Sequence, residues 1–199
     1  MKIFFKQKNK GFTLVETLVA VSIFTMSLLG IMSVLASSIA DTTYAKQKMT
    51  ATYLAQEGIE YMRNMRDTNM FFTSTWSDFI AGSLKDCTLD DKCGFNKVNG
   101  VSPYSIANCS ETITTVLLKG CELFIDSTGL YDSMPDISKD YTDSGFTRTI
   151  WMTGADGSSG VSAGDNEVRI YSEVSWTTGS GLHKITFSEN LFNWWYVVK

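Results

Sequence analysis

The chain has 199 residues, 44% of them hydrophobic and 19% charged, with a net charge of −4. That length fits one ordinary domain, and the balance excludes a polytopic membrane protein, a disordered tail and a collagen-like chain. A pI of about 5.0 speaks against a dedicated nucleic-acid binder.

The averages conceal three unlike segments. Residues 1–11, MKIFFKQKNKG, carry four lysines and no acid. The 24 positions from Thr17 to Ala40 then carry no charge, and 16 of them are apolar. A helix of that length spans roughly 36 Å, enough to cross a hydrocarbon core of about 30 Å. The lysines ahead of it set its N-terminal end in the cytoplasm and everything after residue 40 outside.

From Asp41 to about Asp67 the helical period continues. Ala51, Leu54, Gly58, Met62 and Met65 share one face. Lys46, Lys48, Glu57, Glu60, Arg63 and Arg66 fall off it, with Glu60 and Arg63 a supportive i,i+3 pair. The first proline is Pro103. The pattern therefore predicts one helix from about Phe12 to Arg66, roughly 80 Å long. Its membrane part covers about residues 12–40, and its amphipathic outer half needs something to pack on.

Residues 67–199 form the third segment, with 9 basic and 17 acidic residues and all four cysteines. Glu167–Trp176 alternates with period two: Val168, Ile170, Val174 and Trp176 on one face, Glu167, Arg169, Tyr171 and Glu173 on the other. That is a half-buried antiparallel strand. A turn over Thr177–Gly181 and a returning strand over Leu182–Ser188 complete a hairpin. Phe146–Met152 reads as another strand, and Thr112–Leu118 and Cys121–Ile125 as further ones. The closing LFNWWYVV has aromatics that need burial. The fold class is α+β: a long N-terminal spine helix packed on an antiparallel β head with long loops.

The junction is Lys10-Gly11-Phe12-Thr13-Leu14-Val15-Glu16. A carboxylate at mid-bilayer costs about 2.5–3.5 kcal/mol, and less near an end, so an intramembrane glutamate is a functional hypothesis by default. It wants a positive partner, which a neighbouring subunit can supply.

KGFTLVET followed by an apolar helix resembles the N-terminus of type IV pilins and type II secretion pseudopilins. The resemblance implies cleavage by prepilin peptidase after Gly11, N-methylation of Phe12, and pairing of Glu16 with the N-terminal amine of an adjacent subunit during assembly. The implied partners are other pilin or pseudopilin subunits, prepilin peptidase, an inner-membrane assembly platform with its ATPase, and membrane lipid before assembly. The implied location is a single-pass inner-membrane protein with its head outside, and then an extracellular or periplasmic filament. The mature chain keeps 13 basic against 21 acidic residues, a net of −8. The proline that the family often carries in mid-span is absent, leaving Gly30 as the weak point. More loosely, FTRTI, VRIYSEVSW and LFNW resemble minor pilins of the PilV type and minor pseudopilins.

The remaining motifs carry less chemistry. Cys87, Cys93, Cys109 and Cys121 lie in the outward segment, where an even count suggests disulfides. Of three connectivities, the sequence-near pairing is preferred. The spacings C-x5-C and C-x11-C lack a zinc knuckle, so no metal is expected. Gly160-Val161-Ser162-Ala163-Gly164 is a literal G-x-S-x-G, but it lies in a Gly/Ser loop running into a strand, without the strand–turn–helix context of a nucleophile elbow. His183 is the only histidine and reads as a partly covered sheet residue in register with Ile185 and Phe187. Asp126, Asp132, Asp136, Asp140 and Asp143, and Asp156, Asp165 and Glu167 around the Gly-rich loop, read as solvated acidic faces rather than calcium sites. No catalytic residue, cofactor or direct nucleic-acid contact is expected, and the reading is of a non-enzyme. The rival reading is a secreted or membrane-anchored binding ectodomain that does not polymerise. In its secreted form, Ser38-Ile39-Ala40 is a signal-peptidase site and the mature chain begins at Asp41.

Overall fold

A computed structural model describes residues 11–72, 75–85, 87–96, 105–109, 121–133, 140–159, 161–162 and 164–194. The chain divides into two compact units, Met1–Ala45 and Lys46–Lys199.

Helix α1 covers Leu14–Phe72, 59 residues. It contains no proline, so nothing removes a donor from its ladder. It continues six residues beyond the end expected at Arg66, because no glycine or proline follows to stop it and Met70 still finds apolar contact with the core. In the first unit the described residues are exposed throughout, and this part of α1 is long and apolar enough to cross a membrane.

The second unit is the α+β body. After α1 come one short turn, α2 (Trp76–Asp78), and a π-helical turn over Phe79–Ser83. Among the described residues seven strands follow: β1 Cys93–Asn96, β2 Ser105–Asn108, β3 Glu122–Asp126, β4 Tyr131–Asp132, β5 Tyr141–Gly154, β6 Glu167–Thr178 and β7 Gly181–Phe192. All their pairings are antiparallel. The central strand is β5. It pairs with β6 along one side, and with β3 and then β1 along the other. β7 pairs with β6 in an unbroken register from Glu167↔Phe192 to Thr178↔Gly181. The strand expected over Thr112–Leu118 lies outside the described residues, as do residues 195–198 of the aromatic tail.

The outer half of α1 covers one sheet face. Its buried residues include the expected stripe, with Ala51, Leu54, Gly58, Met62 and Met65 all inside. Val168, Ile170, Val174 and Trp176 meet it from β6, and Phe146, Ile150 and Met152 from β5. The core forms two apolar clusters, one around Ala51, Leu54, Phe146 and Trp176, the other around Met62, Phe79, Ile150 and Leu191.

Polar groups sit on the same face. Ser172 is fully buried at the cross-strand position of Ile150. Arg148 is buried on β5, and its Nη1 donates to Glu57 Oε2 at 2.6 Å and to the Leu54 carbonyl at 3.3 Å. Burial pulls the Arg148 guanidinium below its ordinary value, while the Glu57 carboxylate pulls it back up. Helix and sheet approach closely at Gly58, where a Cβ would lie 3.0 Å from Ser172 Cβ and closer still to its Oγ.

Candidate functional site

The N-terminal junction begins outside the helix. Gly11 and Phe12 precede α1, and Phe12 is 80% exposed. Gly11 has open space where a side chain would stand, so the backbone there presents no steric barrier to a protease. The helix then starts on a cap. Thr13 Oγ1 accepts the Glu16 backbone N–H at 3.3 Å, and the Thr13 carbonyl accepts Thr17 N–H at 3.2 Å. Thr13-Leu14-Val15-Glu16 thus has the S/T-x-x-E spacing of a capping box. That signal was readable in the sequence and gives Glu16 a local role beside the assembly role the resemblance implies. Its carboxylate lies in the first turn, where the helix dipole favours negative charge.

Beyond Glu16 the apolar part of α1 turns many of its hydroxyls back onto its own backbone. Thr17, Ser22, Thr25 and Ser27 each donate their hydroxyl to a carbonyl three or four residues back, at 2.8–3.0 Å. Ser37, Ser38, Thr42 and Thr43 do the same. In lipid, where no water competes, this satisfies each hydroxyl within its own helix. Leu18, Phe24, Met26, Leu29 and Ile39 remain uncovered around the circumference.

In the head, the cysteines form two disulfides, Cys87–Cys93 and Cys109–Cys121, each with Cα atoms 5.2 Å apart. The first closes a six-residue loop at the sheet edge. Cys93 stands opposite Ile150 of β5, and the Cys87 carbonyl accepts Met152 N–H at 3.0 Å. From this loop Lys92 reaches back over the far sheet face. Its ammonium lies 4.1 Å from the Trp151 ring centroid and 3.1 Å from Glu173 Oε1. Trp151 in turn stacks on Tyr171 at 5.1 Å. Burial alone would raise the Glu173 carboxyl, but bonds from Lys92, Lys184 and Thr186 bring it below the ordinary 4.5.

Ser162 and His183 are not brought together. Ser162 is exposed, with its N–H on Asp165 Oδ2 at 2.8 Å, near the start of β6. His183 stands opposite Trp176 near the hairpin turn, nine strand positions from Glu167, or about 30 Å along the strand. The His183 ring stacks on Trp176 at 5.6 Å, with Nε2 2.9 Å from Thr178 Oγ1 and 3.0 Å from Ser180 Oγ. The acidic loops bind their own backbone. Asp126 Oδ1 accepts from Thr128 and Leu130, and Asp156 Oδ1 from Ser158 N–H. These bonds hold both carboxyls below the usual range, through the Thr128 hydroxyl first in Asp126 and the Ser158 N–H first in Asp156. Asp156, Ser158, Ser162, Asp165 and Asn166 line an open cavity of about 530 Å³. Among the described residues, no group of three or more His, Cys, Asp or Glu is placed to hold a metal ion.

The prokaryotic N-terminal methylation motif matches residues 6–38. No curated protein and no solved structure matches the chain. The match spans Gly11 and Phe12, the capped helix start and most of the uncovered apolar run, and with them the chain carries the signature of type IV pilins and pseudopilins.

Proposed function

We propose that this chain is a structural subunit, in a minor role, of a type IV pilus or related pseudopilus. Prepilin peptidase removes residues 1–11 after Gly11, and Phe12 is N-methylated. Residues 12–66 serve as the spine helix, with about 12–40 in the membrane, and residues 67–199 as the outward head. The precursor crosses the inner membrane once with its N-terminus inside. An assembly platform and its ATPase then draw it into a bundle of like helices. The minor role rests on the resemblance of FTRTI and VRIYSEVSW to minor subunits.

The observation that carries this reading is the motif match over residues 6–38. The chemistry agrees. Cleavage exposes an ammonium on Phe12 four residues before Glu16. An ammonium and a carboxylate attract strongly where the dielectric is low, and an unpaired charge there is costly. Glu16 therefore disfavours the isolated helix and favours one whose neighbour supplies the amine.

Two measurements test it. Mass spectrometry of the chain from filament-forming cells should find Phe12 at the N-terminus with one methyl group; an intact Met1, or a start at Asp41, overturns the reading. Glu16→Gln separates charge from capping, because glutamine also serves at that capping-box position. The variant should keep its helix and its cleavage but lose incorporation into filaments by tenfold or more, an effect of about 1.4 kcal/mol or greater. Wild-type incorporation of Glu16→Gln would show that the carboxylate charge plays no part.

A further inference from the structure

The sheet has one long bare edge. β4 and β2 are two and four residues long, and short edge strands give another chain little to pair with. β7 is twelve residues long and, among the described residues, pairs only with β6. Its register has no bulge, unlike that between β3 and β5, and it holds no proline. In such a hairpin, alternate residues aim their N–H and C=O groups away from the partner. Here these are Lys184, Thr186, Ser188 and Asn190, flanked by Leu182 and Phe192. Leu182 and Phe192 are 72% and 52% exposed.

The same chain carries an apolar segment of high strand propensity after β7. Residues 195–199 read Trp-Tyr-Val-Val-Lys, with aromatic and β-branched side chains and no glycine or proline. The residues before it are held away from the β7 edge. Asn193 continues the β6–β7 ladder, donating its N–H to the Asn166 carbonyl at 2.9 Å and its Nδ2 to Asn166 Oδ1 at 3.2 Å. The Trp194 ring packs on Phe71 of α1 at 5.5 Å. Asn193 and Trp194 are thus held toward β6 and the helix.

We propose that the β7 edge is a docking site for residues 195–199 of a second copy of this chain, which add as a further strand. Antiparallel pairing is the slightly more stable choice. A strand begun opposite Asn190 then runs along Ser188 and Thr186. Donor and acceptor are different surfaces of one chain, so the contact is heterologous and extends a row of copies without closing it. It joins heads, whereas the proposed function concerns helices, and it can be tested without filaments.

The test uses the full-length chain in detergent, with mass measured by light scattering. Wild type should self-associate. Deleting residues 195–199 removes the donor. Thr186→Pro removes an outward N–H from the acceptor, a position where an edge strand tolerates proline. Each change should weaken self-association at least about tenfold, the loss of a few ladder hydrogen bonds. An equal mixture of the two variants should form a one-to-one pair and nothing larger, because it holds one working donor and one working edge. Circular dichroism reads the fold of each variant alone. If Thr186→Pro fails to fold, the deletion is mixed with wild type and should shorten its assemblies. A monomeric wild type, unaltered association of the deletion variant, or no pairing in the mixture overturns the proposal. So does amide-exchange protection of Thr186 and Ser188 that is independent of concentration, since that would mean the tail covers its own edge.

Discussion

Gly58 shows how one missing methyl sets the distance between helix and sheet. Alanine in place of glycine ordinarily gains up to about 1 kcal/mol in a helix. Here the new Cβ runs into Ser172 on a buried strand, and overpacking costs about 1–3 kcal/mol. Gly58→Ala should therefore destabilise the head by about 1–2 kcal/mol net in urea melts. Ser172→Ala in the same background should restore most of it. The Ser172 hydroxyl is buried with no hydrogen-bond partner among the described residues. The single Ser172→Ala change should accordingly cost nothing measurable, and a clear loss would show that the hydroxyl is bonded. Glu173 makes a different prediction. Its carboxyl is lower in the folded chain than its ordinary 4.5, so its stabilisation is complete above that value and is lost as pH falls through the folded one. Glu173→Gln should lower the urea midpoint at neutral pH, and the two curves should converge in acid. A gap that stays constant as the pH falls into strong acid would refute the linkage.

At the scale of elements, the disulfides and the hairpin divide the work of holding the sheet. Cys87–Cys93 closes six residues and Cys109–Cys121 twelve. By loop-closure entropy, replacing both members of a pair with alanine should cost about 2 kcal/mol for the shorter loop and nearer 3 kcal/mol for the longer. Equal midpoints for the oxidised and the cysteine-free chain would contradict this. The hairpin of β6 and β7 was legible in the sequence because each strand has one buried face, so period two runs through Val168, Ile170, Val174 and Trp176. The stripe of α1 was legible for the same reason at period 3.6. β1, β2 and β4 were not, since two to four residues are too few to show a period. Arg148 lies between Phe146 and Ile150 on their buried face. Its alternation was visible, but the Glu57 that receives it lies 91 residues earlier, and no local pattern connects them. Glu16 was legible as a charge out of place. The S/T-x-x-E spacing from Thr13 to Glu16 is equally legible as a helix start, and Thr13 Oγ1 accepts the Glu16 backbone N–H there.

At the scale of the molecule, the buried apolar residues all fall from Ala51 onward. The unit Lys46–Lys199 therefore holds the whole described core. A chain beginning at Lys46 should be soluble without detergent and should unfold in one cooperative transition; a species that binds hydrophobic dyes and lacks near-ultraviolet circular dichroism would show that it needs the missing residues. The other unit has the opposite character. Eight of its hydroxyls turn back onto their own backbone, and apolar side chains stand all around it. Such a cylinder has no polar stripe to fix which side faces which lipid, so in the bilayer it is free to swivel about its long axis. Between Phe12 and Ala40 only Glu16, the one charged residue, breaks that symmetry. If the function proposed above holds, a subunit could then present its carboxylate from any starting orientation, and the search for a partner amine would become a rotation in place.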